Sequence, residues 1–290
     1  MVLSVVPVAS GLSSLVQDID LLLVDVWGVL HNGLAAHPAA GDALTKFRAR
    51  GGFVVLVSNA PRGGDIVVGM LDRLGVPRTA YDGVVTSGDV SRAILARERP
   101  ETLAYIGPDK DRVVFAGLKI RETDIAAADI ALCTGLFNDE GETPDDYRAQ
   151  LEACLARNLT MICANPDLIV ERGAELLWCA GAIADKYERM GGRVVWTGKP
   201  HRVIYDAALD LAGLTLKKPI DLSRVMAIGD AIRTDVAGAA GLGVRSLMIA
   251  DGIHAKDLFR GQRAIDAEKA QAFFATAEFK PDAAMARLAW

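Results

Sequence analysis

Polar side chains follow several apolar segments of the chain, at the point where each segment ends. The run LLLV is followed by Asp25, the run FVVLV by Ser58 and Asn59, and the run VMAIG by Asp230. If these runs are parallel strands of one open sheet, their carboxyl ends lie along one edge, which is where ligands bind in such sheets. The sequence therefore predicts that these four residues converge on one site.

Two aspartates at one sheet edge suit phosphoryl transfer. A carboxylate can attack phosphorus and divide a difficult hydrolysis into two displacements through an aspartyl-phosphate, so Asp25 is the candidate nucleophile. An anion attacks another anion only when a hard cation offsets the charge, and Asp25 and Asp230 are candidate ligands for Mg²⁺. Ser58 and the backbone N–H of Asn59 are candidate donors to phosphoryl oxygens. Lys199, after RVVWTG, offers a point charge for the phosphate.

Other polar residues near these segments have more than one interpretation. Asp235, five residues after Asp230 and before VAGAAG, either caps a helix or orients Lys199 and the waters of a metal. His31 has no cysteine or second histidine beside it, so a metal-ligand role is not predicted, and a position in a flap near the phosphate stays open. Ser58 also fits an ordinary turn.

The elements that would position these residues alternate between short apolar runs and longer helical stretches. That alternation is typical of a parallel sheet covered by helices, and the fold class predicted is α/β with a doubly wound parallel sheet. The stretch PAAGDALTKFRARG, with proline at its start and glycine at its end, predicts a crossover helix. The runs interpreted as strands buried on both faces are 21–25, 53–59, 83–88, 193–198, 224–230 and 244–250.

The middle of the chain repeats the α/β pattern on a smaller scale. Short apolar runs at 102–107, 130–135 and 160–165 alternate with helical stretches such as PDDYRAQLEACLARN. We interpret residues 89–181 as a smaller α/β domain inserted into a core domain formed by residues 1–88 and 182–290.

Composition excludes several classes of protein. A formal net charge of −5 over 290 residues gives no basic surface for a nucleic acid. The four cysteines are too widely spaced for a zinc site and fit reduced core thiols. The opening MVLSVVPVASGLSSLVQ lacks a basic leader and a membrane-spanning run, so a cytoplasmic protein without membrane contact is expected. The sequence leaves a homodimer open.

Four segments in order, DVWGVLHNG, LVSNA, TGKPH and AIGDAIRTDVAGA, resemble the four motifs of the haloacid dehalogenase superfamily of phosphoryl-transfer enzymes. The insertion, with CANPDLIVERGAELLWCAG near its end, is similar to the cap of the class IIA branch, which includes nitrophenyl-phosphatase-like, nucleotide and sugar-phosphate phosphatases. The resemblance implies a Mg²⁺-dependent phosphatase acting on a small phosphorylated metabolite, with a Rossmann-like core and an α/β cap. Which phosphate ester it takes is not predicted.

The resemblance also implies a role for each matching residue. Asp25 is the nucleophile, and the metal ligands are Asp25, Asp230 and the backbone carbonyl of Trp27, supported by Asp235. Residues that bind the phosphate are Trp27, Gly28, Ser58, Asn59 and Lys199.

One position departs from the pattern of these phosphatases. They usually carry a second aspartate two residues after the nucleophile, serving as acid and base, whereas this chain has Trp27, whose indole has no proton to transfer. Three interpretations follow: a phosphatase with an unusual or slow proton transfer, a phosphometabolite-binding protein without turnover, and a haloacid dehalogenase. The last needs no metal, which would make Asp230 and Asp235 superfluous.

Overall fold

A computed structural model of the protein describes residues 6–172, 175–261 and 264–290. These residues form two compact units. Unit 1 comprises the described residues up to Ser58, Val68–Val84 and Tyr205–Trp290, and unit 2 comprises Asn59–Val67 and Val85–Ile204. The predicted insertion, 89–181, lies within the longer segment of unit 2, Val85–Ile204, and its bounds stay a prediction.

Thirteen strands and nine α-helices are present in the described residues. The strands are β1 (Leu21–Val24), β2 (Phe53–Ser58), β3 (Gly83–Thr86), β4 (Thr102–Ile106), β5 (Arg121–Glu122), β6 (Ile130–Cys133), β7 (Thr160–Cys163), β8 (Ile169–Arg172), β9 (Glu175–Trp178), β10 (Arg193–Trp196), β11 (Val225–Gly229), β12 (Arg245–Ile249) and β13 (Ala283–Met285). The helices are α1 (Pro38–Ala49), α2 (Gly64–Leu74), α3 (Ser87–Glu98), α4 (Arg148–Ala156), α5 (Ala180–Arg189), α6 (Arg202–Leu216), α7 (Ala237–Leu242), α8 (Ala255–Leu258) and α9 (Ala267–Thr276).

The six-stranded sheet of unit 1 has the order β13-β12-β11-β1-β2-β3. The pairings from β13 through β2 are parallel, with Val24 opposite both Ile228 and Leu56. The chain proceeds outward from β1 to β3 on one side and from β11 to β13 on the other, so the order reverses between β1 and β11. The predicted doubly wound parallel sheet is confirmed, and its switch point lies between these two strands.

The strands next to the switch point are buried because they are apolar throughout. Every residue of β1, β2 and β11 is buried, as expected for central strands of a sheet covered on both faces. The predicted crossover helix is confirmed as α1, with Pro38 at its first position and Gly51 shortly after its end. Gly51 has a φ of +89°, which favours glycine there.

Unit 2 contains a five-stranded parallel sheet with the order β10-β7-β6-β4-β5 and a two-stranded antiparallel hairpin of β8 and β9. Three of the four cysteines, Cys133, Cys154 and Cys163, lie in its core and pack with Tyr147 and Tyr187. The cysteines are free and buried, as predicted for core thiols, and burial raises the pKa of the Cys154 thiol to about 11.

Two predictions about strands need correction. Residues 193–198 were expected to form a strand buried on both faces, but β10 has one exposed residue and three half-buried ones, because it is an edge strand paired only with β7. Residues 83–88 were also expected to be buried on both faces, but Gly83 and Val84, the first two residues of β3, are half-buried. The hairpin of β8 and β9 and the short strands β5 and β13 were not predicted.

Two predictions extend beyond the described residues. The first five residues of the opening segment lie outside them, and so do Gly173 and Ala174 of the segment that resembles a class IIA cap. Within the described part of the chain, every helix is too short or too polar to cross a bilayer.

Candidate active site

Asp25 and Asp230 lie at the switch point of the unit 1 sheet. Asp25 directly follows β1 and Asp230 directly follows β11, and the backbone N–H of Asp25 donates to the carbonyl of Ile228 at 2.8 Å. Both side chains are buried, at 8% exposure each. Neighbouring parallel strands thus bring two carboxylates together where open sheets bind ligands.

A third carboxylate, Asp235, joins them. Asp25, Asp230 and Asp235 each offer an oxygen, and these oxygens all lie within 4.8 Å of one another. Three carboxylates at such separations repel one another unless protons or a cation offset their charge. An all-oxygen ligand set is what a hard cation such as Mg²⁺ prefers, so the residues fit this ion.

Backbone groups hold two of these carboxylates in place. The N–H of Ile253 donates to Oδ2 of Asp230 at 3.0 Å, and the N–H of Ala231 donates to Oδ2 of Asp235 at 3.2 Å. Hydrogen bonds from neighbouring groups orient the ligands of a metal and tune its affinity. The cluster is therefore pre-organised by the loops that follow β11 and β12.

Two glycines leave room for the Asp230 carboxylate. A Cβ at Gly28 would lie 2.1 Å from Oδ2 of Asp230, and a Cβ at Gly252 would lie at the same distance from it. Gly28 also has a φ of +82°, a conformation that other residues rarely adopt. Gly28, predicted to bind phosphate, therefore packs against a candidate metal ligand; its role toward phosphate stays a prediction.

The capping interpretation of Asp235 is wrong. Helix α7 begins at Ala237, and its N-cap is Val236, which makes no side-chain capping bond. Residues Ile232–Val236 form a π-helical turn instead, within which Asp235 donates its N–H to the carbonyl of Ala231 at 3.0 Å. This turn places the Asp235 side chain in the carboxylate cluster, where the sequence predicted a supporting residue rather than a ligand.

The loop after Asp25 folds back on Trp27. Its indole meets the ring of His31 edge-on, with centroids 5.0 Å apart and planes at 70°. A Cβ at Gly33 would lie 2.6 Å from two atoms of the indole, so the ring lies directly over that glycine. The N–H of Gly28 donates to the carbonyl of His31 at 2.8 Å and closes the loop.

His31 is a buried neutral imidazole. It is 0% exposed, and its Nδ1 accepts the N–H of Gly33 at 2.9 Å. Burial lowers the pKa of His31 to about 4, with a smaller contribution from His37. Because its Nδ1 accepts, its proton sits on Nε2, which has no hydrogen-bond partner among the described residues.

Ser58 and Asn59 stand at the end of β2, where the sequence placed them. Ser58 is the last residue of the strand and is 7% exposed, while Asn59 is the first residue of unit 2. Their predicted contacts with phosphate, through the Ser58 hydroxyl and the Asn59 N–H, stay predictions.

The side chain of Asn59 has a second role that the sequence did not reveal. Its Oδ1 accepts the N–H of Lys199 at 2.7 Å, and its Nδ2 donates to the Lys199 carbonyl at 3.3 Å and to Oδ1 of Asp167 at 2.8 Å. A Cβ at Gly198 would lie 2.3 Å from Oδ1 of Asn59, so a glycine is required there. Asn59 thus fixes the backbone of Lys199 from both sides.

A hydroxyl network holds the segment that precedes Lys199. The Oγ1 of Thr197 donates to the carbonyl of Cys163 at 2.7 Å and lies 2.7 Å and 2.8 Å from the hydroxyl oxygens of Ser87 and Ser91. All of these side chains are buried, and Lys199 itself is 3% exposed. A lysine held this firmly is not an ordinary surface residue.

Asp167, the partner of the Asn59 amide, was not among the predicted residues. It lies in the segment ANPD, four residues after the end of β7, whereas Asp25 and Asp230 directly follow their strands. Its contact with Asn59 spans 108 residues of sequence, which local patterns do not predict.

Comparisons with known proteins identify the family. A model described as haloacid dehalogenase-like hydrolase matches residues 22–121, and a second, described as HAD-hydrolase-like, matches residues 196–276. A crystal structure of a hydrolase of the haloacid dehalogenase-like family from Brucella suis 1330 is 42% identical to this chain, with a TM-score of 0.85, over 97% of this chain and 100% of that one. The chain belongs to the haloacid dehalogenase-like hydrolase family. The resemblance seen in the four motifs is confirmed.

Relatives that share less sequence identity with this chain are named as phosphatases. D-glycerol 3-phosphate phosphatase of Mycobacterium tuberculosis (strain ATCC 25618 / H37Rv) is 28% identical over 261 residues, which are 84% of this chain and 66% of that protein. The chain thus spans slightly less than two thirds of that relative. A solved glycerol phosphate phosphatase from the same organism, in complex with magnesium, has a TM-score of 0.64 at 21% identity over 91% of this chain and 78% of that one.

A third relative represents the predicted class IIA branch. Ribonucleotide monophosphatase NagD of Escherichia coli (strain K12) is 25% identical over 246 residues, which are 83% of this chain and 91% of that protein. The predicted resemblance to class IIA phosphatases is thereby confirmed.

Proposed function

We propose that this chain is a Mg²⁺-dependent phosphatase that hydrolyses a small phosphate monoester through an aspartyl-phosphate at Asp25. The observation that carries the proposal is the cluster of Asp25, Asp230 and Asp235 at the switch point of the sheet. Two family relatives named as phosphatases, for D-glycerol 3-phosphate and for ribonucleotides, support the reaction class.

The proposed reaction has two displacements. One oxygen of the Asp25 carboxylate forms a bond to phosphorus as the bond from phosphorus to the leaving oxygen breaks. Water then attacks the phosphorus of the aspartyl-phosphate, which restores the Asp25 carboxylate and releases inorganic phosphate. Ser58 and the N–H of Asn59 would donate to phosphoryl oxygens, and Lys199 would supply positive charge to the phosphate.

The metal would be held by the carboxylates of Asp25, Asp230 and Asp235 and by the backbone carbonyl of Trp27. When bound, Mg²⁺ offsets the negative charge that otherwise keeps an anionic phosphate from an anionic carboxylate. Asp235 is added here to the ligands inferred from the motifs, because its oxygen lies within 4.8 Å of the other two.

Trp27 favours a second candidate, a protein that binds a phosphorylated metabolite without turning it over. The residue that would transfer a proton in a phosphatase is an indole here. The third interpretation, a haloacid dehalogenase, requires no metal and gives no reason for three carboxylates to lie so close together.

Phosphate release from a panel of small phosphate esters, measured with Mg²⁺ and with EDTA, tests the proposal. We expect release from at least one ester that requires Mg²⁺ and is absent in Asp25→Asn. Binding of Mg²⁺ and inorganic phosphate without release from any ester would support the non-catalytic candidate. Metal-independent release of halide from a small haloacid would support the dehalogenase.

A further inference from the structure

Resting on the proposed function, we infer that this site acts on phosphoryl compounds with weakly basic leaving groups. These are aryl, enol and acyl phosphates, whose leaving oxygen departs as a stable anion. Alkyl phosphates, such as the phosphates of simple alcohols and sugar hydroxyls, are poor substrates in comparison. The residues around the nucleophile carry this inference.

The leaving group decides whether an acid is needed. An alkoxide is about as basic as hydroxide, so it departs only as a proton reaches it. A phenolate corresponds to a pKa of about 10 and a carboxylate to about 4, so these anions depart unprotonated far more readily. A positioned acid contributes about 10²- to 10⁴-fold in rate where a proton is required.

The loop beside Asp25, residues 26–37, carries no carboxyl side chain. Its titratable side chains after the nucleophile are His31 and His37. His31 is 0% exposed, and its ring is enclosed by Trp27 and Gly33, so no substrate oxygen reaches it. His37 lies at the N-cap of α1, near the ion pair of Asp251 and Arg287.

Trp27 also stands at the position, two residues after Asp25, where the resembling phosphatases carry their acid. It is held between the edge of the His31 ring and the backbone of Gly33, and both contacts belong to the loop that follows the nucleophile. Asp230 and Asp235 are committed to the carboxylate cluster, with Oδ2 of each accepting a backbone N–H. In the proposed function these two carboxylates are ligands of Mg²⁺ and not proton donors.

The reaction balances without a protein acid. In the first step the electron pair of the breaking bond between phosphorus and oxygen leaves as phenolate, enolate or carboxylate, which remains an anion or takes a proton from solvent. In the second step the leaving group is the Asp25 carboxylate, itself weakly basic. Water adds to phosphorus with both of its protons retained by the product, dihydrogen phosphate. A loose transition state of this kind demands little deprotonation of the attacking water.

The test is the dependence of kcat/KM on the leaving group in the full chain with Mg²⁺. The series is acetyl phosphate, 4-nitrophenyl phosphate, phenyl phosphate and glycerol 3-phosphate. We expect kcat/KM to fall along the series, by at least about 10²-fold from 4-nitrophenyl phosphate to glycerol 3-phosphate. A ratio within tenfold would overturn the inference, because it would mean that an acid elsewhere protonates the alkoxide.

Two variants sharpen the test. Trp27→Asp should raise the ratio of glycerol 3-phosphate to 4-nitrophenyl phosphate activity by about 10²- to 10⁴-fold. The matched control Trp27→Asn, which has the size of aspartate but no acidic proton, should give no such rise. Equal ratios in the two folded variants would contradict the inference. If either variant fails to fold, the wild-type series still decides. Absence of Mg²⁺-dependent release from every ester would refute the proposed function itself, a result distinct from a flat series.

Discussion

The amide of Asn59 offers the sharpest structural prediction, because one buried side chain satisfies both backbone groups of Lys199. Asn59 is 5% exposed, and it joins Lys199 to Asp167 through hydrogen bonds of 2.7, 2.8 and 3.3 Å. Replacement by alanine leaves the Lys199 N–H without its acceptor, at about 1–3 kcal/mol, and removes a bond to a charged group, worth about 1.5–3 kcal/mol. We expect Asn59→Ala to lower the free energy of unfolding by about 2–4 kcal/mol. This is less than the sum of the two costs because water can partly solvate the half-buried Asp167.

The isosteric change Asn59→Asp separates the acceptor from the donor. It keeps an oxygen for the Lys199 N–H but places a second carboxylate where Nδ2 now lies 2.8 Å from Asp167. Two carboxylates this close raise the pKa of one of them. The folded state then binds more protons than the unfolded state above pH of about 4, so the stability of this variant should fall as pH rises.

The combination of Asn59→Asp with Asp167→Asn restores a donor opposite an acceptor. In a double-mutant cycle measured by urea unfolding, we expect the pair to recover about 1.5–3 kcal/mol relative to the sum of the single variants. The kcat for phosphate release should follow the same order, because the backbone of Lys199 is what Asn59 holds. Unfolding of Asn59→Ala within 0.5 kcal/mol of the wild type, or a cycle with no coupling, would refute this account of Asn59.

Two further predictions concern the metal cluster and the loop after Asp25. Gly28→Ala should weaken Mg²⁺ binding by about 10- to 100-fold in calorimetry, because its Cβ would lie 2.1 Å from Asp230 Oδ2. The control Gly75→Ala, at the same φ of +82° with nothing within 4 Å of its Cβ, should leave Mg²⁺ affinity unchanged. Equal losses of affinity in the two variants would mean that backbone strain and not the clash is responsible. Burial lowers the pKa of His31 from 6.5 to about 4. Between these two pH values the unfolded state binds more protons than the folded state, so the free energy of unfolding decreases as pH falls. The expected decrease is about 2 kcal/mol between pH 7 and pH 5. His31→Phe should flatten this part of the stability curve measured by chemical denaturation, and an unaltered slope would show that other groups control it.

The sequence predicts the parts of the fold that rest on strongly apolar segments. Strands β1, β2 and β11 are runs of aliphatic residues, and the polar residues after them, Asp25 and Asp230, lie where the parallel sheet predicts. The predictions were wrong where tertiary pairing decides burial. Strand β10 has an apolar sequence, yet it is an edge strand and is partly exposed.

The finer geometry of the site depends on contacts that a local pattern does not contain. Asp235 enters the cluster through a π-helical turn that precedes the α-helix predicted for VAGAAG. Asn59 reaches the backbone of Lys199 across 140 residues of sequence. The π-turn and the long-range amide contact follow from the packing of loops rather than from the hydrophobic periodicity of the segments that carry them.

The central claim is that Asp25 is the nucleophile of a Mg²⁺-dependent phosphatase. Its most direct test is the rate of phosphate release from 4-nitrophenyl phosphate with saturating Mg²⁺, compared between the wild type and Asp25→Asn, with thermal melting to establish that both are folded. We expect Mg²⁺-dependent release by the wild type and none above background by the folded Asp25→Asn variant, which keeps the shape of the side chain but not its charged oxygen. Release by Asp25→Asn at a rate close to that of the wild type would contradict a nucleophilic role for Asp25.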